Sequence, residues 1–211
     1  MKKVGVLFDL DGVLIDSENL YTKFWNDIEE IYPTGIENFA HIIKGNALFK
    51  ILETYFSSTI HQDIINRVHQ FELNIKYPIY DGVLDFLKSL KEKAIPTAIV
   101  TSSDDVKMNA LYNTYPFFRQ YFDTIITGSD VTKSKPDPQG YLIAANRIGC
   151  NPKDCFIFED SLQGLEAGMA TGATVIGLTT NNPPNILKNK AHVLIDSFVG
   201  FNIEVMMSFK R

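Results

Sequence analysis

The sequence is poor in the features that would settle its class at a glance. Cysteine occurs twice, as Cys150 and Cys155. That is too few for a disulfide framework, and neither has the His or further Cys neighbours that a zinc site needs. Two isolated thiols beside a predicted strand are expected to pack in the core of a protein kept in a reducing compartment, the cytoplasm. No apolar run approaches the roughly 20 residues needed to cross a bilayer. The N-terminal run from Val4 to Phe8 is also too short for the apolar part of a signal peptide. Lys and Arg form no block and the net charge is −5, so a nucleic-acid backbone would be repelled on average. There is no internal repeat and no low-complexity segment. These absences point away from membrane, nucleic-acid and disulfide-scaffold classes. The 211 residues, 45% hydrophobic and 21% charged, are expected to form a soluble globular protein, a monomer, with one large domain or a core plus an insertion.

The apolar pattern changes character twice along the chain. Residues 3–10 (KVGVLFDL) are a short, nearly continuous apolar run, which predicts a strand buried on both faces of a parallel sheet. Helical spacing follows: Leu20, Tyr21, Phe24, Trp25, Ile28 and Ile31 share one face, as do Leu48, Phe49, Leu52, Tyr55 and Phe56, and then Ile64, Ile65, Val68, Phe71 and Ile75. Phe39, Ile42 and Ile43 suggest a further short helix. After the turn signal Asp81-Gly82, strands over 97–101, 124–127, 155–158, 174–178 and 192–195 alternate with helices through Val83–Leu90 and over 106–112, 141–148, 162–170 and about 184–187. Such alternation predicts right-handed crossovers and an α/β fold, a Rossmann-like parallel sheet with helices on both faces. Residues 1–14 and 81–211 would form this core, and residues 15–80 a small all-helical cap inserted after the first strand.

Ligands in such sheets bind beyond the carboxyl ends of the strands, so the residues ending each strand matter most. The first strand ends in Asp9-Leu10-Asp11-Gly12. Residues i and i+2 of an extended chain point the same way, so Asp9 and Asp11 should converge, with Gly12 allowing a sharp exit. Two adjacent carboxylates repel unless a cation relieves them; the plainer alternative is a solvated acidic turn. The next strand ends in Thr101-Ser102-Ser103, whose hydroxyls and following amides suit either phosphoryl oxygens or a helix cap. Lys135 sits in Lys133-Ser134-Lys135-Pro136-Asp137-Pro138, a segment stiffened by two prolines, where a lysine can neutralise a phosphate and an aspartate together. Lys133 competes for that role, and a surface loop is the alternative for both. The strand 155–158 ends in Glu159-Asp160-Ser161, a second acidic pair or an acidic helix start. Taken singly, each feature has an ordinary explanation. Together, on one predicted sheet edge, they point to a phosphate-handling site.

The motifs Phe8-Asp9-Leu10-Asp11-Gly12-Val13-Leu14, Val100-Thr101-Ser102-Ser103, Ser134-Lys135-Pro136-Asp137-Pro138 and Phe158-Glu159-Asp160-Ser161, in that order, resemble the haloacid dehalogenase superfamily of phosphohydrolases. The helical insertion after the first motif resembles the cap of its β-phosphoglucomutase-like and phosphoglycolate-phosphatase-like branch. The resemblance implies that Asp9 is a nucleophile forming an aspartyl-phosphate. Asp11 is then the general acid for the leaving alcohol and the base for the hydrolytic water. Thr101, with Ser102 and Ser103, binds the phosphoryl group, and Lys135 orients Asp9 and balances charge. It also implies a Mg²⁺ cofactor held by Asp9, the main-chain carbonyl of Asp11, Glu159 and Asp160. A covalent intermediate divides a hard displacement into two steps, and Mg²⁺ with Lys135 would supply the positive charge that an anionic nucleophile needs to approach a phosphate.

Asp11 argues against the metal-free dehalogenases and the phosphonate-cleaving members of the superfamily, which lack this second acid. β-Phosphoglucomutases carry a cap histidine shortly after the first motif and a cap arginine just after a Lys-Gly pair. Here the corresponding segments read Ser17-Glu18-Asn19-Leu20-Tyr21 and Lys44-Gly45-Asn46-Ala47-Leu48. Neither Tyr21 nor Asn46 grips a second phosphate as a guanidinium does. Hydrolysis of a small phosphorylated metabolite, such as a sugar phosphate, is therefore the leading expectation, with a mutase and a catalytically silent phospho-ligand binder as alternatives. Lys44, Gly45 and Asn46 are candidate substrate contacts from the cap, or else a helix-connecting loop. A cap closing over the site would exclude water and select the leaving group.

Overall fold

The computed structural model describes residues 3–210, with the side chain of Glu18 excepted. In chain order the elements are β1 (Gly5–Phe8), α1 (Glu18–Ile31), α2 (Phe39–Ile42), α3 (Leu48–Tyr55), α4 (His61–Asn74) and α5 (Val83–Glu92). They continue with β2 (Thr97–Val100), α6 (Asp105–Thr114), β3 (Thr124–Ile126), α7 (Gln139–Arg147), β4 (Cys155–Glu159), α8 (Leu162–Ala170), β5 (Thr174–Leu178), α9 (Pro184–Leu187), β6 (Val193–Ile195) and α10 (Ile203–Ser208). The six strands form one sheet in the order β3-β2-β1-β4-β5-β6, and every neighbouring pair is parallel. This is the Rossmann-like α/β architecture the alternating pattern predicts. Two differences stand out. β1 is shorter than the apolar run that announces it, because the chain leaves extended geometry at the Asp9–Gly12 exit. α10 has no counterpart in the sequence pattern, whose last reading is the strand over 192–195. Among the described residues no helix is long and apolar enough to cross a membrane.

Alternation along the strands builds two cores. In β1, Val6 and Phe8 join one apolar cluster with Phe86 and Leu90 of α5, Leu111 of α6 and Met206 of α10. Leu7 points the other way, into a cluster with Tyr141 and Ala144 of α7 and Leu165 of α8. Helices therefore cover both faces, as burial of both sides of a parallel sheet requires. Cys150 and Cys155 are free and buried in the second cluster. The first cluster is centred on aromatic rings. Phe8 stacks on Phe158 at 5.1 Å, and Phe86 meets the edge of Phe158 at 5.7 Å and stacks on Phe198 at 5.5 Å.

α1 to α4 have an apolar cluster of their own, built on Trp25, Ile28, Phe39, Ile51, Leu52 and Ile64. The chain enters and leaves this helical insert through two segments lying side by side. Asp16 N donates to Pro78 O (2.7 Å) and Tyr80 N to Leu14 O (3.1 Å), with an antiparallel bridge between Ile15 and Ile79. The insert is thus tethered directly behind the end of β1.

Truncating Phe86 removes a ring from the aromatic centre without touching the sheet edge. Phe86→Ala is expected to lower unfolding free energy by about 3–5 kcal/mol, as for other buried phenylalanines, measured by urea titration. A loss below about 1 kcal/mol, the scale of a surface change, would show that the first cluster does not depend on this ring.

Candidate active site

The strand order reverses direction at β1 and β4, and the crevice of such a sheet opens beyond the carboxyl ends of those strands. Asp9 follows β1 immediately, and its amide extends the pairing by donating to Phe158 O (2.9 Å). Glu159 ends β4 and Asp160 comes next. Thr101 follows β2, its amide donating to Ile126 O (2.9 Å). Lys135 reaches the same edge from the loop after β3. Its ammonium lies 2.5 Å from Asp9 Oδ1 and 2.6 Å from Glu159 Oε1, and it also donates to Val100 O at 3.3 Å. Lys133 is exposed, and its ammonium lies 3.7 Å from Asp137. The geometry therefore puts Lys135, not Lys133, beside the acids.

Glu159 is fully buried, and both of its oxygens are occupied by protein donors. Oε1 accepts from Lys135 and from Tyr141 Oη (3.0 Å). Oε2 accepts from the amides of Asp160 and Ser161 (2.9 Å each) and from Ser161 Oγ (3.0 Å). Glu159 thereby fixes the turn from β4 into α8 and holds Lys135 against Asp9. Gly164 permits this: a Cβ there would lie 1.7 Å from Glu159 Oε1.

Asp9, Glu159 and Asp160 have carboxylate oxygens within 4.8 Å of one another, and the Lys135 ammonium contacts the first two. Burial pushes the Asp9 carboxyl well above the usual carboxylate range; Lys135 opposes this, while Glu159 and Asp11 add to it. Burial alone would lower the Lys135 ammonium, but Asp9 and Glu159 outweigh it and hold its pKa raised. Three carboxylates facing one ammonium leave an excess of negative charge in a closed site. A hard divalent cation with oxygen ligands fits the Asp9 and Asp160 members of this set, the Glu159 oxygens being taken by protein donors. Gly12 closes the same corner. It has φ +78°, and a Cβ there would lie 2.3 Å from Asp160 Oδ2.

Asp11 makes a second ion pair, distinct from the first. Its Oδ1 lies 2.5 Å from the ammonium of Lys107 and accepts the hydroxyl of Ser17. Ser103 Oγ donates to Oδ2 at 3.1 Å. Ser17 stands at the start of α1 yet gives no side-chain cap to its own helix. Lys107 is 2% exposed and lies 4.1 Å from the centroid of the Tyr21 ring, so Tyr21 serves as a wall for a cation. Tyr21 Oη donates to Glu72 Oε1 at 2.7 Å.

The other expected contacts gather at the same cavity. Lys44, Gly45, Asn46, Thr101, Ser102 and Ser103 line a space of about 110 Å³ together with Asp9, Asp11 and Asp160. Some already have protein partners. Ser102 Oγ donates to Gly45 O (2.7 Å), Asn46 Nδ2 to Ile43 O (3.1 Å), and Thr101 Oγ1 accepts from Ser103 N (3.0 Å). Ser102–Gly45, His69–Asp104 (2.8 Å) and Gln163–Ile42 O (3.2 Å) bind the helical insert to the sheet edge.

Sequence reasoning missed four contributors. Asn181 Nδ2 donates to Asp160 Oδ2 (2.8 Å), and Asn182 Nδ2 to Asp160 O (3.0 Å). Both lie just beyond β5, and the same inspection of strand ends would have found them there. Lys107 and Glu72 carried no such signal, because charged residues on amphipathic helices ordinarily face water.

Lys135→Met leaves Asp9 and Glu159 buried without their counter-charge. It is expected to cost about 3–5 kcal/mol of unfolding free energy, the cost of breaking a buried ion pair from one side. Chemical denaturation reads this directly, and an unchanged midpoint would mean that the ammonium does not hold the acids together.

Comparison with known proteins agrees with this geometry. A family model described as haloacid dehalogenase-like hydrolase matches residues 4–172. The chain is 29% identical to a phosphorylated carbohydrates phosphatase of Thermotoga maritima, over 80% of this chain and 81% of that protein. It is 28% identical to hexitol phosphatase A of Escherichia coli, over 84% of each. The crystal structure of a β-phosphoglucomutase from Clostridium difficile superimposes with a TM-score of 0.81 at 22% identity, over 100% of this chain and 97% of that one, a likeness of fold. The family model spans Asp9 and Asp11, the Thr101–Ser103 hydroxyls, the Lys135 loop and the Glu159–Asp160 pair, and the chain belongs to the haloacid dehalogenase-like hydrolases.

Proposed function

We propose that this hydrolase, a phosphoric monoester hydrolase, releases phosphate from a small phosphorylated metabolite of the sugar or polyol class through an aspartyl-phosphate on Asp9. The observation that carries this reading is the Lys135 ammonium wedged between Asp9 and Glu159, with Asp160 alongside. The named activities of the relatives, a phosphorylated carbohydrates phosphatase and a hexitol phosphatase, support the substrate class. A cavity of about 110 Å³ between the helical insert and the sheet edge suits a small ester. The free buried thiols fit a reducing, cytoplasmic setting, and a monomer contains every group the reaction uses.

Lys135 engages Oδ1 of Asp9, leaving the second oxygen for attack on phosphorus. The phosphorus–oxygen bond to the alcohol breaks as the bond to Asp9 forms, and Asp11 gives its proton to the departing oxygen. Asp11 then takes a proton from water, whose oxygen attacks the same phosphorus, frees phosphate and restores Asp9. Thr101, Ser102 and Ser103 supply donors to the phosphoryl oxygens. Asp11 suits proton transfer because it stands outside the Asp9–Glu159–Asp160 cluster, in contact with two hydroxyls and Lys107.

Asp9, Asp160 and the main-chain carbonyl of Asp11 would hold Mg²⁺, with Glu159 at the back of the cluster. When bound, the ion supplies positive charge that keeps Asp9 ionised and offsets charge on the phosphoryl oxygens. The helical insert acts as the cap that keeps bulk water from the phosphoenzyme. Mutase activity lacks its grip on a second phosphate, since Tyr21 is engaged with Lys107 and Glu72 and Asn46 follows Gly45.

Asp9→Asn is expected to reduce phosphate release from p-nitrophenyl phosphate to background while thermal melting shows a folded protein; wild-type turnover in that variant would remove Asp9 from its role. Treatment with EDTA is expected to silence the enzyme, and added Mg²⁺ to restore it. Full turnover in chelator would sink the metal assignment while leaving Asp9 in place.

A further inference from the structure

One buried polar atom of the cavity wall is without a hydrogen-bond partner among the described residues. Glu72, on α4 of the insert, is 4% exposed. Its Oε1 accepts from Tyr21, but its Oε2 is buried with no hydrogen-bond partner. Leaving a buried acceptor unsatisfied costs about 1–3 kcal/mol, more when it is charged, so the residue is incomplete until something donates to it. Glu72 lines the same cavity as Asp9 and Asp11, and a bound substrate is in a position to supply the donor.

The surrounding charge limits what that donor can be. Asp104, at the start of α6, lines the cavity beside Glu72 and bonds to His69 at 2.8 Å. Lys107, the buried cation of this wall, is already paired with Asp11 at 2.5 Å. Burial pushes the Glu72 carboxyl up to about 7, with Lys107 and Tyr21 opposing and Asp104 and Asp11 adding to the rise. His69, Glu72 and Asp104 lie close enough to share a cation, but His69 is already engaged with Asp104 and the Lys107 ammonium stands next to the group. A hydroxyl donor fits better than a second metal, and a second anion on the substrate would meet two carboxylates.

We propose that Glu72 Oε2 reads the leaving group. It accepts a hydrogen bond from a hydroxyl of the alcohol half of the ester, so that the enzyme selects phosphate monoesters of uncharged polyols or sugars over esters ending in a carboxylate or a second phosphate. This rests on the phosphatase reading above and specifies its substrate class.

The test uses two esters of equal length, glycerol 3-phosphate and 3-phosphoglycerate, which end in a hydroxymethyl group and a carboxylate. Their kcat/KM values are measured on the full chain with Mg²⁺, for the wild type and for Glu72→Gln. The wild type is expected to prefer the hydroxymethyl ester by about tenfold or more, and the variant to lose about tenfold of that preference, mainly through KM, as when a buried polar contact to a substrate hydroxyl is weakened. A general loss of structure would lower both values together and leave their ratio in place. An unchanged ratio in a variant that melts like the wild type overturns the proposal. Should the variant not fold, the wild-type ratio decides alone, and preference for the carboxylate ester overturns it. Failure of the wild type to release phosphate from either ester and from p-nitrophenyl phosphate would instead bring down the phosphatase reading, and this proposal with it.

Discussion

An ammonium buried between carboxylates from two different strands is the constraint on which the site depends. Lys135 is almost wholly removed from water, and a lone buried ammonium would simply lose its proton. It stays charged because Asp9 after β1 and Glu159 at the end of β4 both touch it. Those acids in turn are tolerable only because Lys135 reaches them. The condition is met where β1 and β4 lie side by side in the β3-β2-β1-β4-β5-β6 order, with Tyr141 and the amides of Asp160 and Ser161 satisfying what remains of Glu159. Sheet topology, buried charge and proposed chemistry are thus one arrangement described at three scales.

A second ion pair divides the work. Asp11 and Lys107 form a unit set apart from the Asp9–Lys135 pair. Tyr21 shields Lys107 on one side and donates to Glu72 on the other. The helical insert is therefore coupled to the sheet edge by charge as well as by packing. Polar bonds join it to the edge at Gly45, Ile42 and His69.

The departures from mutase-like sequences acquire a physical meaning in this setting. Tyr21, where a histidine is expected in a mutase, is engaged with Lys107 and Glu72. Asn46, where an arginine would follow, turns its amide back to Ile43 O. The cavity wall they leave behind carries Glu72 and Asp104, with Lys44 and Lys107 on the same lining. The fold superimposes on that of a β-phosphoglucomutase, and function on a shared scaffold is set by site residues and not by the fold.

Much of the core was legible because burial on both faces of a parallel sheet forces short continuous apolar runs, and β1, β2, β4 and β5 read that way directly. The strand-end residues Asp9, Asp11, Thr101, Lys135, Glu159 and Asp160 were legible too, since each lies where an apolar run stops or a stiff proline segment begins. Local pattern said nothing of Lys107 and Glu72, whose surroundings come from α1, α4 and α6, segments far apart in sequence. Their burial follows from the docking of the insert against the sheet edge, which lets one charge satisfy another. The choice between Lys133 and Lys135 was likewise undecided by sequence, as both sit in the same short segment and only direction separates them. What the sequence determined by itself was periodicity and the chemical kind of residue at each strand end. What only the tertiary structure decided was which charges meet, because electrostatic partnership depends on distance through space and not along the chain.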